Sequence, residues 1–340
     1  MADAPQAAVE RAVRASYGRL VALLAARTRD LALAEDCLAD ALERALRTWP
    51  ATGIPHNPEG WLLTVARNRL RDVLTSAAHR TGVELRSAHD ELAALDHAPD
   101  AIGDRRLELL YACAHPAIDA GSRTPLMLQA VFGFDAAQIA IAFDIPSATM
   151  AQRLVRAKRK IQGAGIPFAL PTRSDMPART TAVLEAVYGA YAIGWLDQGD
   201  DIRLSIADEA RWLAVLAATL LCDDAEAWGL AALLTLAQSR APARAAAPWP
   251  PLDEQNVALW DADLIAEGES LLRRASALGR PLGRFQLEAA IQSVHCDRAR
   301  TGVVDRETLV KLYRGLVAVA PSSGARAALA AAEAASRPRR

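Results

Sequence analysis

The segment from Ser147 to about Lys160 concentrates basic side chains, with five of them between Arg153 and Lys160 and no acid. Arginine and lysine neutralise phosphates, and arginine and glutamine can also pair with base edges in the major groove. This composition therefore predicts a surface that contacts duplex DNA. The candidate contact residues are Ser147, Thr149, Gln152, Arg153, Arg156, Arg159 and Lys160.

A helix-turn-helix is the element that would present these side chains. A short helix is expected from about Asp135, and Pro146 pushes Ile145 out of helical geometry, which indicates a turn. Ser147 is then the expected N-cap of the second helix. The apolar face of that helix comprises Met150, Leu154, Ala157 and Ile161. The alternative for the basic cluster alone is a solvated face of an ordinary amphipathic helix.

The rest of the chain is predicted to be all-helical. It has 340 residues, of which 52% are apolar and only 5% aromatic, and no alternating β-branched run occurs. The net charge of −1 neither favours nor excludes a nucleic-acid partner. Breaks in the helical pattern predict four parts: 1–80, a linker over 81–103 within a polar stretch from about 75, 104–168 with the helix-turn-helix, and a helical extension over 169–340.

Residue types that support catalysis or metal binding are present but scattered. No Gly-rich phosphate loop, nucleophile elbow or HExxH occurs, so the sequence predicts no enzyme and no cofactor. Cys113 with His115, and His295 with Cys296, are poorly spaced for a metal site, and none is predicted. The N-terminus has no signal-peptide pattern and the apolar run 212–222 is too short for a bilayer, so we expect a cytoplasmic protein without membrane contact.

The N-terminal part carries helical patterns around Val13–Arg27, Leu31–Leu46 and Trp61–Leu74. Three prolines and a glycine between Trp49 and Pro58 predict that this segment is not helical, with helix resuming near Glu59. The second helical pattern has acids away from its apolar stripe. Three of these acids, Glu35, Asp36 and Asp40, are candidate binding residues.

Three motifs in this order resemble the extracytoplasmic-function (ECF) sigma factors of the sigma-70 family. Residues 34–42 (AEDCLADAL) are similar to region 2.2, residues 60–69 (GWLLTVARNR) to regions 2.3 and 2.4, and residues 148–161 (ATMAQRLVRAKRKI) to region 4. The resemblance implies a factor that binds core RNA polymerase, through the clamp helices of its largest subunit and through its flap, and that starts transcription at promoters.

The resemblance also implies roles for individual residues. Glu35, Asp36 and Asp40 would lie on the helix that docks on polymerase, with a solvated acidic face as the alternative. Region 4 would bind the minus-thirty-five element as duplex, and region 2 would capture an unstacked base of the minus-ten element. Candidates for that strand contact are Arg67, Asn68 and Arg71. Trp61 could stack on a base, but core packing is favoured.

Two departures from the family pattern stand out. The run after the Arg-Asn pair, residues 70–79, contains Asp72 and few bases, so its contacts during promoter melting would be weaker or differently placed. The loop that begins at residues 46–49 also has its own sequence, which leaves the captured base open.

The last 170 or so residues are similar to a subgroup with a long tetratricopeptide-like extension, as is the motif CAHP at 113–116. This implies a regulatory extension with a partner or ligand of its own, although the repeat match is loose and an ordinary helical bundle is the alternative. Two other functions remain open at this point: a stand-alone helix-turn-helix regulator with a helical sensor domain, and a scaffold built on the extension.

Overall fold

The structure, a computed structural model, describes residues 3–81, 104–196, 201–244 and 250–336. Every regular element in those ranges is helical, which confirms the predicted all-α class. The chain forms two compact units, residues 1–189 and 190–340, called here the first and second unit.

Three long helices begin the first unit. Helix α1 spans Asp3–Thr28, α2 spans Leu31–Thr52 and α3 spans Pro58–Thr81. They are longer than the predicted patterns, and residues 75–81 of the expected polar stretch belong to α3. The remainder of that stretch, 82–103, lies outside the described residues. The three helices share a core that includes Leu20, Leu24, Leu31, Leu38, Ala41, Leu62, Ala66 and Leu70.

The prediction that residues 49–58 contain no helix is wrong for residues 49–52 and for Pro58, where α3 begins. Helix α2 continues through Pro50 to Thr52. A proline this close to the helix end removes one late backbone hydrogen bond and leaves the central turns intact. Trp49 is 1% exposed, and its ring packs edge-on against Trp61 with centroids 5.4 Å apart. Burial of these two rings therefore holds the last turn in place.

Four further helices follow in the first unit: α4 (Arg106–Cys113), α5 (Ala120–Ala130), α6 (Ala136–Ala142) and α7 (Ser147–Gly163). Helix α8 (Pro177–Leu196) comes next. The first unit extends past the predicted boundary at 168, because the start of α8 packs on α4. The Tyr111 hydroxyl is hydrogen-bonded to Thr180 Oγ1 at 3.2 Å, and Arg179 donates to the Tyr111 carbonyl at 3.4 Å.

Helix α1 packs against the end of α5 at very short range. A Cβ atom added to Gly18 would lie 2.0 Å from the carbonyl oxygen of Val131, so no larger residue fits there without movement. Beside it, the Tyr17 ring covers Gly133, whose φ of +71° favours glycine. The N-terminal helices and the helix-turn-helix part of the chain are thus joined by close backbone packing.

The second unit contains the remaining helices. These are α9 (Asp201–Leu220), α10 (Ala225–Gln238), α11 (Ala262–Ala277), α12 (Arg284–Cys296), the single turn α13 (Arg298–Thr301), α14 (Arg306–Val319) and α15 (Ser323–Ser336), with 3-10 turns at Pro242–Arg244 and Val257–Leu259. Asp224 caps α10 by accepting the Ala227 N–H at 3.0 Å, as expected of an acid at a helix start.

Helix α10 is the centre of the second unit. Every residue from Ala225 to Gln238 except Glu226 is buried, and the helix packs against α9, α11 and α12. Helix α12 packs against α14, and α14 packs against α15. Over residues 201–296 this arrangement supports the helical bundle that the sequence left as the alternative to an open stack of helix pairs.

The Gly18 contact yields a testable expectation. In a free helix, Gly18→Ala would stabilise by about 0.5–1 kcal/mol. Here we expect the free energy of unfolding to fall by about 1–3 kcal/mol, because the new methyl group overpacks the contact with Val131. Urea unfolding of the full chain measures this. Gly163→Ala is the matched control, since nothing lies within 4 Å of its added Cβ, and equal effects of the two substitutions would contradict the packing.

Candidate nucleic-acid interface

Helix α7 has the two faces that the sequence predicts. Met150, Leu154, Ala157 and Ile161 are all at most 4% exposed and pack on the first unit's core. The opposite side carries the exposed candidates for DNA contact: Ser147, Thr149, Gln152, Arg153, Arg156, Arg159 and Lys160. Arg156 donates to Gln152 Oε1 at 3.4 Å, one turn apart, so these two side chains form a joint polar surface.

The turn before α7 is built from local hydrogen bonds. Asp135 caps α6 through a capping box with Gln138. Asp144 adopts a positive φ of 50°, a conformation that aspartate tolerates better than most residues. The Ile145 N–H then donates to the Ala140 carbonyl at 3.1 Å, which closes the turn. The helix-turn-helix predicted from the sequence is therefore present.

The predicted N-cap of α7 is wrong by one residue. Pro146 occupies the cap position, Ser147 is the first helical residue, and no side chain caps the helix. The Pro146 carbonyl accepts the Thr149 and Met150 N–H groups at 3.0 and 3.1 Å. Since the Ser147 hydroxyl is not used as a cap, it remains an exposed group at the N-terminal end of the helix.

The strand-contact candidates lie together on α3. Asn68 is exposed, Arg67 and Arg71 are half-buried, and Arg71 donates to Asn68 Oδ1 at 3.3 Å. Trp61 is half-buried against Trp49, as the core interpretation predicts. The neighbouring Arg69 forms an ion pair with Asp40 of α2, so one of the predicted polymerase-binding acids is engaged within the N-terminal helices.

The three acids of α2 have different environments. Asp36 is exposed, and Asp40 is exposed beside Arg69. Glu35 is the exception, because its carboxylate forms an ion pair with Lys158 of α7, with the two side chains only 16% and 14% exposed. Next to it, Gln162 donates to Asp30 Oδ2 at 2.7 Å. Helix α7 therefore lies against the N-terminal end of α2.

The Glu35–Lys158 pair is electrostatically incomplete. Burial raises the pKa of Glu35, and the charge and hydrogen bond of Lys158 only partly oppose that rise. Oε1 of Glu35 is buried without a hydrogen-bond partner in the described structure. Lys158 is one of the five cations between Arg153 and Lys160 but not one of the candidate DNA contacts, and no local pattern signals its partner 123 residues away.

The other residue types considered from the sequence form no candidate site. Cys113 is fully buried, and His115 Nδ1 accepts the Ala117 N–H at 3.1 Å, which gives that histidine a turn-forming role. In the described ranges no group of three or more His, Cys, Asp or Glu side chains is arranged to hold a metal ion. Within these same ranges, no helix is long and apolar enough to cross a membrane.

Comparison with known families assigns both parts of the first unit. Residues 12–80 match the model of sigma-70 region 2, and residues 110–161 match that of sigma-70 region 4. The ECF RNA polymerase sigma factor SigL of Mycobacterium tuberculosis is 31% identical over 164 residues, which cover 47% of this chain and 91% of SigL. The chain belongs to the ECF sigma factors of the sigma-70 family.

Two other relatives of this ECF sigma factor extend the comparison. The probable ECF RNA polymerase sigma factor SigI of M. tuberculosis is 27% identical over 194 residues, 56% of this chain and 64% of SigI. An uncharacterized protein of Rhizobium meliloti is 34% identical over 307 residues, covering 86% of this chain and 72% of that protein. Residues 179–276 match a family of unknown function, DUF6596. No solved structure matches the chain.

Removing the cation of the buried pair tests its role. We expect Lys158→Met to lower the free energy of unfolding by about 2–3 kcal/mol, less than the roughly 3–5 kcal/mol of a fully buried pair, because both side chains keep some solvent contact. The double variant Glu35→Gln, Lys158→Met should regain most of that loss, since no buried charge remains. Urea unfolding of the natural chain, the single variants Lys158→Met and Glu35→Gln, and the double variant gives the coupling between the two residues, and additive effects would contradict it.

The pH dependence of the same variants has a defined sign. A raised pKa of a buried acid means that the folded chain holds the proton more tightly, so stability falls as pH rises above the ordinary glutamate value of 4.5. We expect this fall to be steeper in Lys158→Met and absent from the Glu35→Gln double variant. Unfolding measured from pH 4.5 to neutrality tests this, and identical slopes in the two variants would refute the assignment to Glu35.

Proposed function

We propose that this chain binds core RNA polymerase and directs it to promoters that have a minus-ten and a minus-thirty-five element. The observation that carries the proposal is helix α7, whose apolar face is buried and whose opposite face presents exposed cations after a helix-turn-helix turn. The N-terminal helices of region 2 support it further, because a stand-alone helix-turn-helix regulator has no use for them.

In this proposal the N-terminal half of α7 enters the major groove of the minus-thirty-five element. Ser147, Thr149 and Gln152 are exposed at that end and would lie nearest the base edges. Arg153 and Arg156 follow on the same exposed surface, where guanidinium groups can pair with bases or phosphates. Arg159 and Lys160, nearer the C-terminal end, would bind phosphates and supply salt-dependent affinity.

Region 2 would contact the minus-ten element through α3 and polymerase through α2. The polar group of Arg67, Asn68 and Arg71 on α3 would follow the unstacked strand. On α2, Asp36 is exposed and available to cations of the polymerase clamp, whereas Asp40 is exposed but paired with Arg69, which a clamp cation would have to replace. Glu35 can join them only after it separates from Lys158, so polymerase docking and the internal ion pair compete for the same carboxylate.

The length of a promoter supports the same requirement. The two elements lie about 25 base pairs apart, which is roughly 85 Å of duplex at roughly 3.4 Å per pair. Helices α2 and α7 are in direct contact in this structure. Binding to both elements at once therefore requires α7 to leave α2.

The C-terminal extension would modulate this activity. Support comes from the second unit, which has its own buried core around α10 and so can exist as a regulatory body. A partner or ligand of this unit would be the regulatory input, in place of a separate inhibitory protein.

Transcription in vitro tests the proposal. Purified chain with core polymerase and a promoter library should yield transcripts that start at a defined sequence class and that core polymerase alone does not make. A second chain ending at Gly189, where the first unit ends, tests whether the extension is required. Failure of both chains to support initiation at any promoter, with polymerase pull-down also negative, would overturn the proposal.

Two substitutions on α7 separate base recognition from phosphate binding. Arg153→Ala should cost about 1–3 kcal/mol of binding to the preferred minus-thirty-five duplex and relax specificity at one position, because a bidentate base contact is lost. Lys160→Ala should weaken binding evenly on all sequences and reduce the salt slope by about one. Binding titrations at several salt concentrations measure both, and an even loss for Arg153→Ala would reassign it to phosphate.

A further inference from the structure

We propose that the second unit contains a binding site for a small anion that bears a carboxylate or phosphate group, formed around Arg240 and Trp260. Arg240 follows the C-terminal end of α10, and Trp260 follows the 3-10 turn Val257–Leu259. The inference concerns the extension alone and does not depend on whether the chain initiates transcription.

Arg240 is a buried cation without a counter-ion. Arg240 is 5% exposed, and its Nη2 donates to Gln292 Oε1 of α12. Its Nε and Nη1 are buried with no hydrogen-bond partner, and no carboxylate pairs with it in the described structure. An isolated charge in such a place is strongly unfavourable unless an opposite charge reaches it.

The surroundings of Arg240 add positive charge rather than remove it. Arg298 lies over the same indole ring, with its guanidinium carbon 5.0 Å from the ring centroid of Trp260, compared with 6.0 Å for Arg240. Burial, together with the charges of Arg240 and Arg298, lowers the pKa of His295 to about 4, so this imidazole is neutral at pH 7. Burial also lowers the pKa of Arg240 itself.

No acid in the neighbourhood offsets these cations. The other groups that act on Arg240 are the phenols of Tyr191 and Tyr313 and the thiol of Cys296, and burial raises the pKa of each, which keeps them neutral. Asp208, Glu269 and Glu288 act on Tyr191, Cys296 and Tyr313 respectively, but none of these acids pairs with Arg240. The cluster therefore carries an uncompensated positive charge.

The unpaired atoms define what would complete the cluster. Nε and Nη1 of Arg240 lie on different edges of the planar guanidinium, and each shares its edge with Nη2, which donates to Gln292. Nε1 of Trp260, also buried, lacks an acceptor. A group with two or more anionic oxygens satisfies such donors, since carboxylates and phosphates accept paired hydrogen bonds from arginine. Arg298 is less available, because it donates to the backbone carbonyls of Leu252 and Gln255 at 2.8 and 2.6 Å. These two hydrogen bonds from Arg298 hold the segment that leads to Trp260 in place.

The burial of Arg240 also limits the size of the ligand. With 5% of the residue exposed, a nucleic-acid strand or a folded acidic partner would not reach the guanidinium. A small free anion is the class of ligand that could reach the guanidinium once the side chains covering Nε and Nη1 move, because neither atom has appreciable accessible surface. Inorganic phosphate and citrate are suitable probes of its two chemistries.

Thermal unfolding and calorimetric titration of the full chain test the site. Phosphate or citrate, at ionic strength matched with sodium chloride, should raise the melting temperature in a saturable way, by roughly 5–10 °C at about 100 times the Kd. A response to phosphate alone identifies a phosphorylated ligand, a response to citrate alone identifies a carboxylate, and both responses support the site. If neither probe differs from chloride, the proposal is overturned.

Substitutions locate the response. Arg240→Met should abolish the anion-dependent shift while leaving the melting temperature in chloride unchanged or higher, because an unpaired buried charge is removed. Arg240→Lys, which keeps the charge but not the paired donors, should weaken the anion at least tenfold. The matched control is Arg274→Met, since Arg274 also stacks on a tryptophan, 4.0 Å from the Trp228 ring, but is exposed.

A full anion response in Arg240→Met, or loss of the response in Arg274→Met, would contradict the assignment. A third contradicting result is a lower melting temperature of Arg240→Met in chloride, together with no anion response in the natural chain. The last would make Arg240 a structural cation held by the π face of Trp260. If Arg240→Met does not fold, the affinity change in Arg240→Lys decides between the two roles.

Discussion

The ion pair between Glu35 and Lys158 is the interaction on which the arrangement of the first unit depends. It joins the helix that carries the acids of region 2 to the helix that carries the cations of region 4. Glu35 is one of the acids expected to bind polymerase, and Lys158 belongs to the run of five cations on the helix expected to bind DNA. The pair therefore uses one charge from each helix to hold the two helices together.

Shape reinforces charge in this arrangement. The close contact of Gly18 with Val131 leaves no room for a side chain, while the hydrogen bond from Gln162 to Asp30 supports the ion pair on the α2 side. A buried ion pair gives up much of its attraction to desolvation, and the unpaired Oε1 of Glu35 adds to that cost. In the proposed function this contact has to be displaced when polymerase and promoter DNA bind, and its incomplete compensation favours that displacement.

Sequence periodicity predicted the local structure well and the long-range contacts poorly. The buried face of α7 follows from apolar spacing alone, and all four residues are buried. Helix continued past Pro50 because Trp49 packs on Trp61, a tertiary contact that outweighs the breaker. The partner of Lys158 and the isolation of Arg240 were not predictable, since both depend on which distant helices meet, and a cation in a sequence carries no sign of whether an acid will reach it.

The most direct test of this account is the distance between α2 and α7 in the free chain and in an initiation complex. Spin labels on cysteines introduced at Arg44, which is exposed, and Gly163, where a side chain meets nothing within 4 Å, report it after Cys222→Ser removes the exposed native thiol. Pulsed electron resonance should give one short distance in the free chain, and an increase of tens of Å once core polymerase and promoter DNA are bound, given roughly 85 Å between the promoter elements. Complexes that initiate transcription while the short distance persists would contradict the account.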